Sequence, residues 1–278
     1  MIAVLGGLGA ALCWATGTLS AARASRLVGA RSVLNWVMIV GFVVTAPIAA
    51  ASGVPDGLHA RELGWICVSG AGNVAGLLLG YEAMRVGKVS IVAPITSTEG
   101  AIAAVLAVAT GEALDIPSAA LLGAIAIGVV LASLTRATGG HSLRSTLLAA
   151  CAAASFGASL FATAKVSNAL PLVWAVIPPR LFGVAAVALP SLALRRIRVA
   201  AAAIPFVVLS GLCEVAGFAS YSLGARHGIA VSSVLASQFA AFAAVAAFVV
   251  FHERLRIVQI AGIATILVCV AALSAIRA

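Results

Sequence analysis

Charge is scarce in this sequence: Asp, Glu, Lys and Arg make up 9% of 278 residues, against roughly 25% in a soluble domain. With 63% hydrophobic residues and a mean hydropathy of +1.18, that scarcity excludes a water-soluble globular fold and points to a bilayer. Aromatics are few as well, 6%, and the apolar runs are long stretches of Ala, Val, Leu and Ile, which excludes the short alternating strands of an outer-membrane barrel. The five cysteines, Cys13, Cys67, Cys151, Cys213 and Cys269, form no C-x-x-C pair and have no histidine at ligand spacing, so no metal site is expected. No Gly-rich loop ending in Lys and Ser or Thr occurs, which removes ATP as a direct energy source. His59, His141, His227 and His252 fall in or beside connections without an i, i+4 pair. An intramembrane enzyme would need a nucleophile and base, or a metal cluster, at one depth; neither catalysis nor a cofactor is expected.

What is present implies an all-α, polytopic membrane protein. A spanning helix takes about 20 apolar residues, and breaks at charges, Pro and Gly clusters predict ten transmembrane helices near 2–22, 32–52, 63–85, 89–110, 117–135, 146–167, 171–193, 202–224, 229–250 and 257–275. The first run has no basic leading segment and a poor cleavage site, so it is read as a retained span. The net charge of +9 is spread singly between apolar runs, a signal of topology and headgroup contact rather than of nucleic-acid binding.

At an offset of 141 the sequence repeats itself. Asn73-Val74-Ala75-Gly76 falls on Glu214-Val215-Ala216-Gly217, Arg85 on Arg226, Gly87 on Gly228, and Glu112-Ala113-Leu114 on Glu253-Arg254-Leu255, without a gap over 42 residues. Two repeats follow, 1–137 and 142–278. Five crossings are an odd number, so the second repeat is expected to enter the membrane inverted. The basic residues swap accordingly: Arg23, Arg26 and Arg31 in the first connection correspond to Lys165 alone in the sixth, and Arg61 alone in the second to Arg195, Arg196 and Arg198 in the seventh. Odd-numbered connections carry 12 basic residues and the opposite face 4. The positive-inside rule then predicts the twelve in the cytoplasm and both termini outside.

Each half closes on one phrase: a Gly, a span with polar residues after its first turns, then a Glu followed two residues on by Leu, as in Gly87 to Glu112-Ala113-Leu114 and Gly228 to Glu253-Arg254-Leu255. The pattern resembles the drug/metabolite transporter superfamily, and within it the EamA-type exporters, over nearly the whole chain. The resemblance implies two inverted five-helix repeats in an inner or plasma membrane. It implies a secondary transporter, expected to export a small metabolite, amino acid or drug-like solute by alternating access about a midplane site. A sugar or nucleotide-sugar carrier of the same superfamily is the alternative. Implied partners are the solute, the lipid bilayer and protons, with a monomer or homodimer as the assembly and no nucleic acid. Pro94 matches the family's Pro in the fourth helix, whereas the ninth has Leu235 at the matching position. Many members are thought to keep both termini in the cytoplasm; the charge count here favours the opposite insertion.

Ionisable groups at mid-bilayer cost roughly 2.5–3.5 kcal/mol each on insertion scales, which makes them functional candidates. Glu99 follows Thr96, Ser97 and Thr98 in span four, Asn73 and Glu214 are repeat equivalents in spans three and eight, and Arg180 follows Pro178 and Pro179 in span seven. The repeat partner of Thr96-Ser97 is Ser237-Gln238, so both halves carry a polar cluster at one depth. Glu99 and Glu214 are the expected groups for solute or proton handling. Against this, Glu214 and Arg180 can form a purely structural ion pair, and Asn73 and Gln238 can act only as interhelical glue. Glu112 and Glu253 are expected to be structural charges at helix boundaries. Trp14, Trp36 and Trp174 either line a cavity or anchor at the interface, and Trp65 is the expected belt residue. Gly72, Gly76 and Gly80 put a smooth face on span three for close helix packing.

Overall fold

A computed structural model describes residues 1–86, 92, 95–133, 143–194, 200–239, 241–242 and 257–276. Pro94, Gly87, Glu253 and Arg195, Arg196 and Arg198 lie outside the described residues. Among those described there is no strand. The helical segments are α1 (Ile2–Val28), α2 (Ala30–Ser52), α3 (Ala60–Val86), α4 (Glu99–Ala109), α5 (Ile116–Ser133), α6 (Leu143–Ala169), α7 (Leu172–Ala193), α8 (Ile204–Ala225), α9 (Ile229–Ala236) and α10 (Ile257–Ile276). By length and composition, α1, α2, α3, α6, α7 and the helix ending in α8 can each cross a membrane; α4, α5 and α10 contain shorter apolar stretches.

The chain turns where the backbone needs glycine. Gly29 (φ 85°) separates α1 from α2, Gly53 (φ 66°) ends α2, and Gly228 (φ 155°) precedes α9, conformations an L side chain rarely adopts. Helix α1 runs six residues past its expected end. Arg23 and Arg26, expected in a connection, form its last turns, and the Arg23 guanidinium lies 5.6 Å from the centre of the Phe206 ring. A long basic side chain can lie along an apolar surface while its charge stays near water, so a helix need not end where its first Arg appears.

Close packing rests on small residues. Helix α1 lies along α8, α3 along α6, α5 along α10, and α4 crosses α9. A methyl group on Gly72 would sit 2.9 Å from the Ser155 carbonyl oxygen, and one on Gly76 would sit 2.6 Å from the Phe156 ring, which accounts for two of the three glycines expected on this face; at Gly80 a methyl would meet only Ala152, at 3.9 Å. In α7, Ile177 interrupts the helix before Pro178-Pro179, and the next turn restarts with the Arg180 amide donating to the Ile177 carbonyl at 2.9 Å. The break sets the direction from which Arg180 enters the interior.

Candidate functional site

The polar residues of the spans meet at a cavity of about 390 Å³. Trp14 from α1, Asn73 from α3, Thr96, Glu99 at the start of α4, and Glu214 from α8 line it. Glu99 is 7% exposed, and its carboxyl, in the first turn of α4, lies at the positive end of that helix dipole. It has no hydrogen-bond partner among the described residues, and the Glu214 carboxylate is near enough to act on it electrostatically. Asn73 is 8% exposed with its side-chain Oδ1 buried and unpartnered.

Arg180 stands behind this lining. Its side chain is fully buried, its Nη2 donates to Glu214 Oε2 at 3.2 Å, and its guanidinium carbon lies 4.8 Å from the centre of the Phe218 ring. The Glu214 side chain is 28% exposed, so the pair has a dry side and a side on the cavity. Burying one charge alone is costly, and each partner offsets the other's desolvation. The ring adds a cation–π contact.

Ser97, Ser237 and Gln238 are buried but do not line the cavity. Ser237 sits at the crossing of α4 and α9, where a methyl group on Gly100 would come within 2.7 Å of its side chain. Ser237 donates to the Val234 carbonyl at 2.9 Å, its own helix. Tyr81, Phe156, Phe218 and Phe239 line the cavity and were not singled out in the sequence. Nothing in their spacing within apolar runs distinguishes a lining aromatic from a packed one. Trp65, the expected belt residue, is partly buried and packs edge-on against Phe161, with centroids 5.6 Å apart. No group of three or more metal-binding side chains occurs among the described residues.

Among the described residues, the cavity lining extends from mid-span toward one end only. From Glu99 and Glu214 its lining continues to Ser25, Val33, Tyr81 and Met84, toward the ends of α1 and α3 and the start of α2. The other end is shut. Gly6 meets Gly224, where an added methyl would lie 2.6 Å from the Gly224 amide nitrogen. The Ser220 hydroxyl donates to the Gly6 carbonyl and the Ser232 hydroxyl to the Ala3 carbonyl, each at 3.0 Å. The Glu112 carboxylate accepts from the Ile229 and Ala230 amides at 3.1 and 3.2 Å, capping α9 from a distance of more than a hundred residues in sequence. Arg226 donates to the Ser167 and Leu170 carbonyls at 2.7 and 3.0 Å.

Comparison with known proteins gives this arrangement a context. Residues 1–134 match the EamA-like transporter family, which belongs to the drug/metabolite transporter superfamily. A solved protein crystal structure shares the fold with a TM-score of 0.80 at 20% identity, over 99% of this chain and 97% of that one. No curated protein matches. The chain is thus a multi-pass membrane protein, helical throughout its described segments, with a match to the EamA-like transporter family over residues 1–134.

Proposed function

We propose, from the EamA-like match over residues 1–134 and a carboxylate-lined cavity whose described lining extends toward one end only, that the protein is a secondary transporter exporting a small solute by alternating access in an inner or plasma membrane. The cavity carries the proposal: two carboxylates at mid-span, otherwise costly, face a space of the size of a small-molecule site, about 300–1,000 Å³.

Two inverted five-helix repeats, 1–137 and 142–278, make up the proposed ten-helix architecture. Several observations support it. Shifted by 141, α1 (Ile2–Val28) falls on α6 (Leu143–Ala169) to the residue. The packing pairs exchange as an inverted repeat requires: α1 with α8 becomes α6 with α3, while α4 with α9 and α5 with α10 map onto themselves. Gly76 receives the Phe156 ring of α6, and its repeat equivalent Gly217 receives the Trp14 ring of α1. The open end lies beside Arg23, Arg26, Arg31 and Arg144, on the face with the excess of basic residues. With that face cytoplasmic, the cavity is open inward and both termini lie outside.

Transport then proceeds by rocking one repeat against the other about the Glu99–Glu214 level, which closes the basic end and parts the glycine-packed end. Glu99, lacking a hydrogen-bond partner among the described residues, is the group proposed to exchange a proton against the solute, whereas Glu214 is already held by Arg180. The test is a comparison of metabolites in the medium and in cells carrying the wild type, the Glu99→Gln variant or no protein. At least one small solute should accumulate outside only with the wild type. Equal profiles in all three contradict the proposal, and accumulation inside the cells contradicts its direction.

A further inference from the structure

We infer that the solute is an organic cation, a protonated amine on an apolar or aromatic body; this rests on the transporter reading of the same cavity. The inference comes from the charge of the lining. Glu99 and Glu214 contribute carboxylates, and no Lys or Arg lines the cavity among the described residues. Arg180 is fully buried behind Glu214 and already engaged by that carboxylate and the Phe218 ring, so it neutralises one acid from outside the cavity. One carboxyl, Glu99, remains without a hydrogen-bond partner among the described residues while nine-tenths buried. The Asn73 side chain adds a neutral amide to the same lining.

An ammonium group answers each of these features. It donates to the Glu99 carboxylate and replaces the missing countercharge of a buried acid. The walls take the remainder of such a molecule: Trp14, Tyr81, Phe156 and Phe239 supply ring faces and edges, surfaces that attract cations as well as apolar groups. Solutes with a net negative charge find the opposite. Among the described residues, a phosphate or a nucleotide-sugar would meet two carboxylates and no accessible cation, and the carboxylate of a zwitterionic amino acid would have no basic partner in the lining. The charge of the site therefore discriminates among solutes by placing like charge against the wrong ones.

The full chain in nanodiscs, equilibrated by dialysis near neutral pH, tests this with three probes of closely similar size: phenethylammonium, neutral 2-phenylethanol and anionic phenylacetate. Saturable binding of phenethylammonium, at least tenfold tighter than either of the others, is the expected result, with at least a tenfold loss in Glu99→Gln. The order of the three probes on the wild type decides the matter even if a variant does not fold. Tighter binding of the carboxylate, equal binding of all three, or no saturable binding of any overturns the cation assignment. An unchanged affinity for phenethylammonium in folded Glu99→Gln overturns it as well. Labelling of a Thr18→Cys variant by a water-soluble thiol reagent separates the two readings: a reactive Thr18→Cys with the wrong probe order rejects the cation and keeps the transport cavity, whereas an unreactive one rejects the cavity itself.

Discussion

The two ends of the cavity are built from different materials. The open end is walled by side chains, among them Val33, Tyr81 and Met84. The shut end is almost entirely backbone: Gly6 against Gly224, two serine hydroxyls on the carbonyls of Ala3 and Gly6, and a carboxylate on the amides that begin α9. Three of those contacts join α1 to α8 or α9, and the fourth joins the end of α4 to α9, so all of them bridge the first half of the sequence to the second. Backbone groups inside a membrane must be satisfied by protein, and small residues let helices approach closely enough for van der Waals packing to hold them. The contrast teaches that the shut end is closed by fit, which a single added carbon can spoil, whereas the open end tolerates change.

The largest expected effect lies at the boundary between the ends, in the Arg180–Glu214 pair. Glu214→Leu leaves a fully buried guanidinium without its carboxylate and should lower the unfolding free energy by about 3–5 kcal/mol, read from denaturant unfolding in micelles. Arg180→Met should cost less, because Glu214 still reaches the cavity, and the double variant should recover most of the loss. A double variant as weak as the worse single would show that the pair is not the source of the cost.

Next comes the fit itself. Gly6→Val forces side-chain carbons into the Gly224 backbone, an overpacking expected to cost about 1–3 kcal/mol and to expose Ser232 to solvent, measurable as reactivity of a Ser232→Cys partner substitution. Smaller again is Glu112→Gln, which keeps an acceptor near the Ile229 and Ala230 amides but removes the charge from the N-terminus of α9; about 0.3–1 kcal/mol is expected from the lost charge–dipole interaction. The smallest effect belongs near the open end. A methyl group on Gly80 would lie at ordinary contact, 3.9 Å from the Ala152 side chain, so Gly80→Ala should be neutral or stabilising by up to about 1 kcal/mol through helix propensity. Equal losses for Gly6→Val and Gly80→Ala would erase the distinction between the ends.

Much of the scaffold was legible in the sequence, because glycines and charges are conspicuous among aliphatic residues. The 141-residue offset rested on pairs such as Gly76–Gly217 and Asn73–Glu214, and the cost of a mid-membrane charge singled out Glu99, Glu214 and Arg180. Depth along a helix does not fix direction around it, however. Ser97 and Gln238 flank Glu99 and Phe239 in sequence yet are buried outside the cavity lining, and Tyr81, Phe156 and Phe239 line the cavity without any mark in their spacing. Glu112 showed the same limit. Sequence placed it at a helix boundary, but the helix it caps is α9, across the halves, a pairing no local pattern encodes.

The central claim, a cavity reachable from the basic face and shut from the other, is tested most directly by thiol labelling in sealed vesicles of known orientation. Cys13, Cys67, Cys151, Cys213 and Cys269 are first replaced by Ala, and single cysteines are then introduced at Thr18, in the cavity lining, and at Ser232, in the shut end. With a membrane-impermeant maleimide and no solute, Thr18→Cys should react from the face carrying Arg23, Arg26 and Arg31 and not from the opposite one, and Ser232→Cys should react from neither. Reaction of Ser232→Cys in the resting protein with Thr18→Cys silent from the basic face would contradict the account.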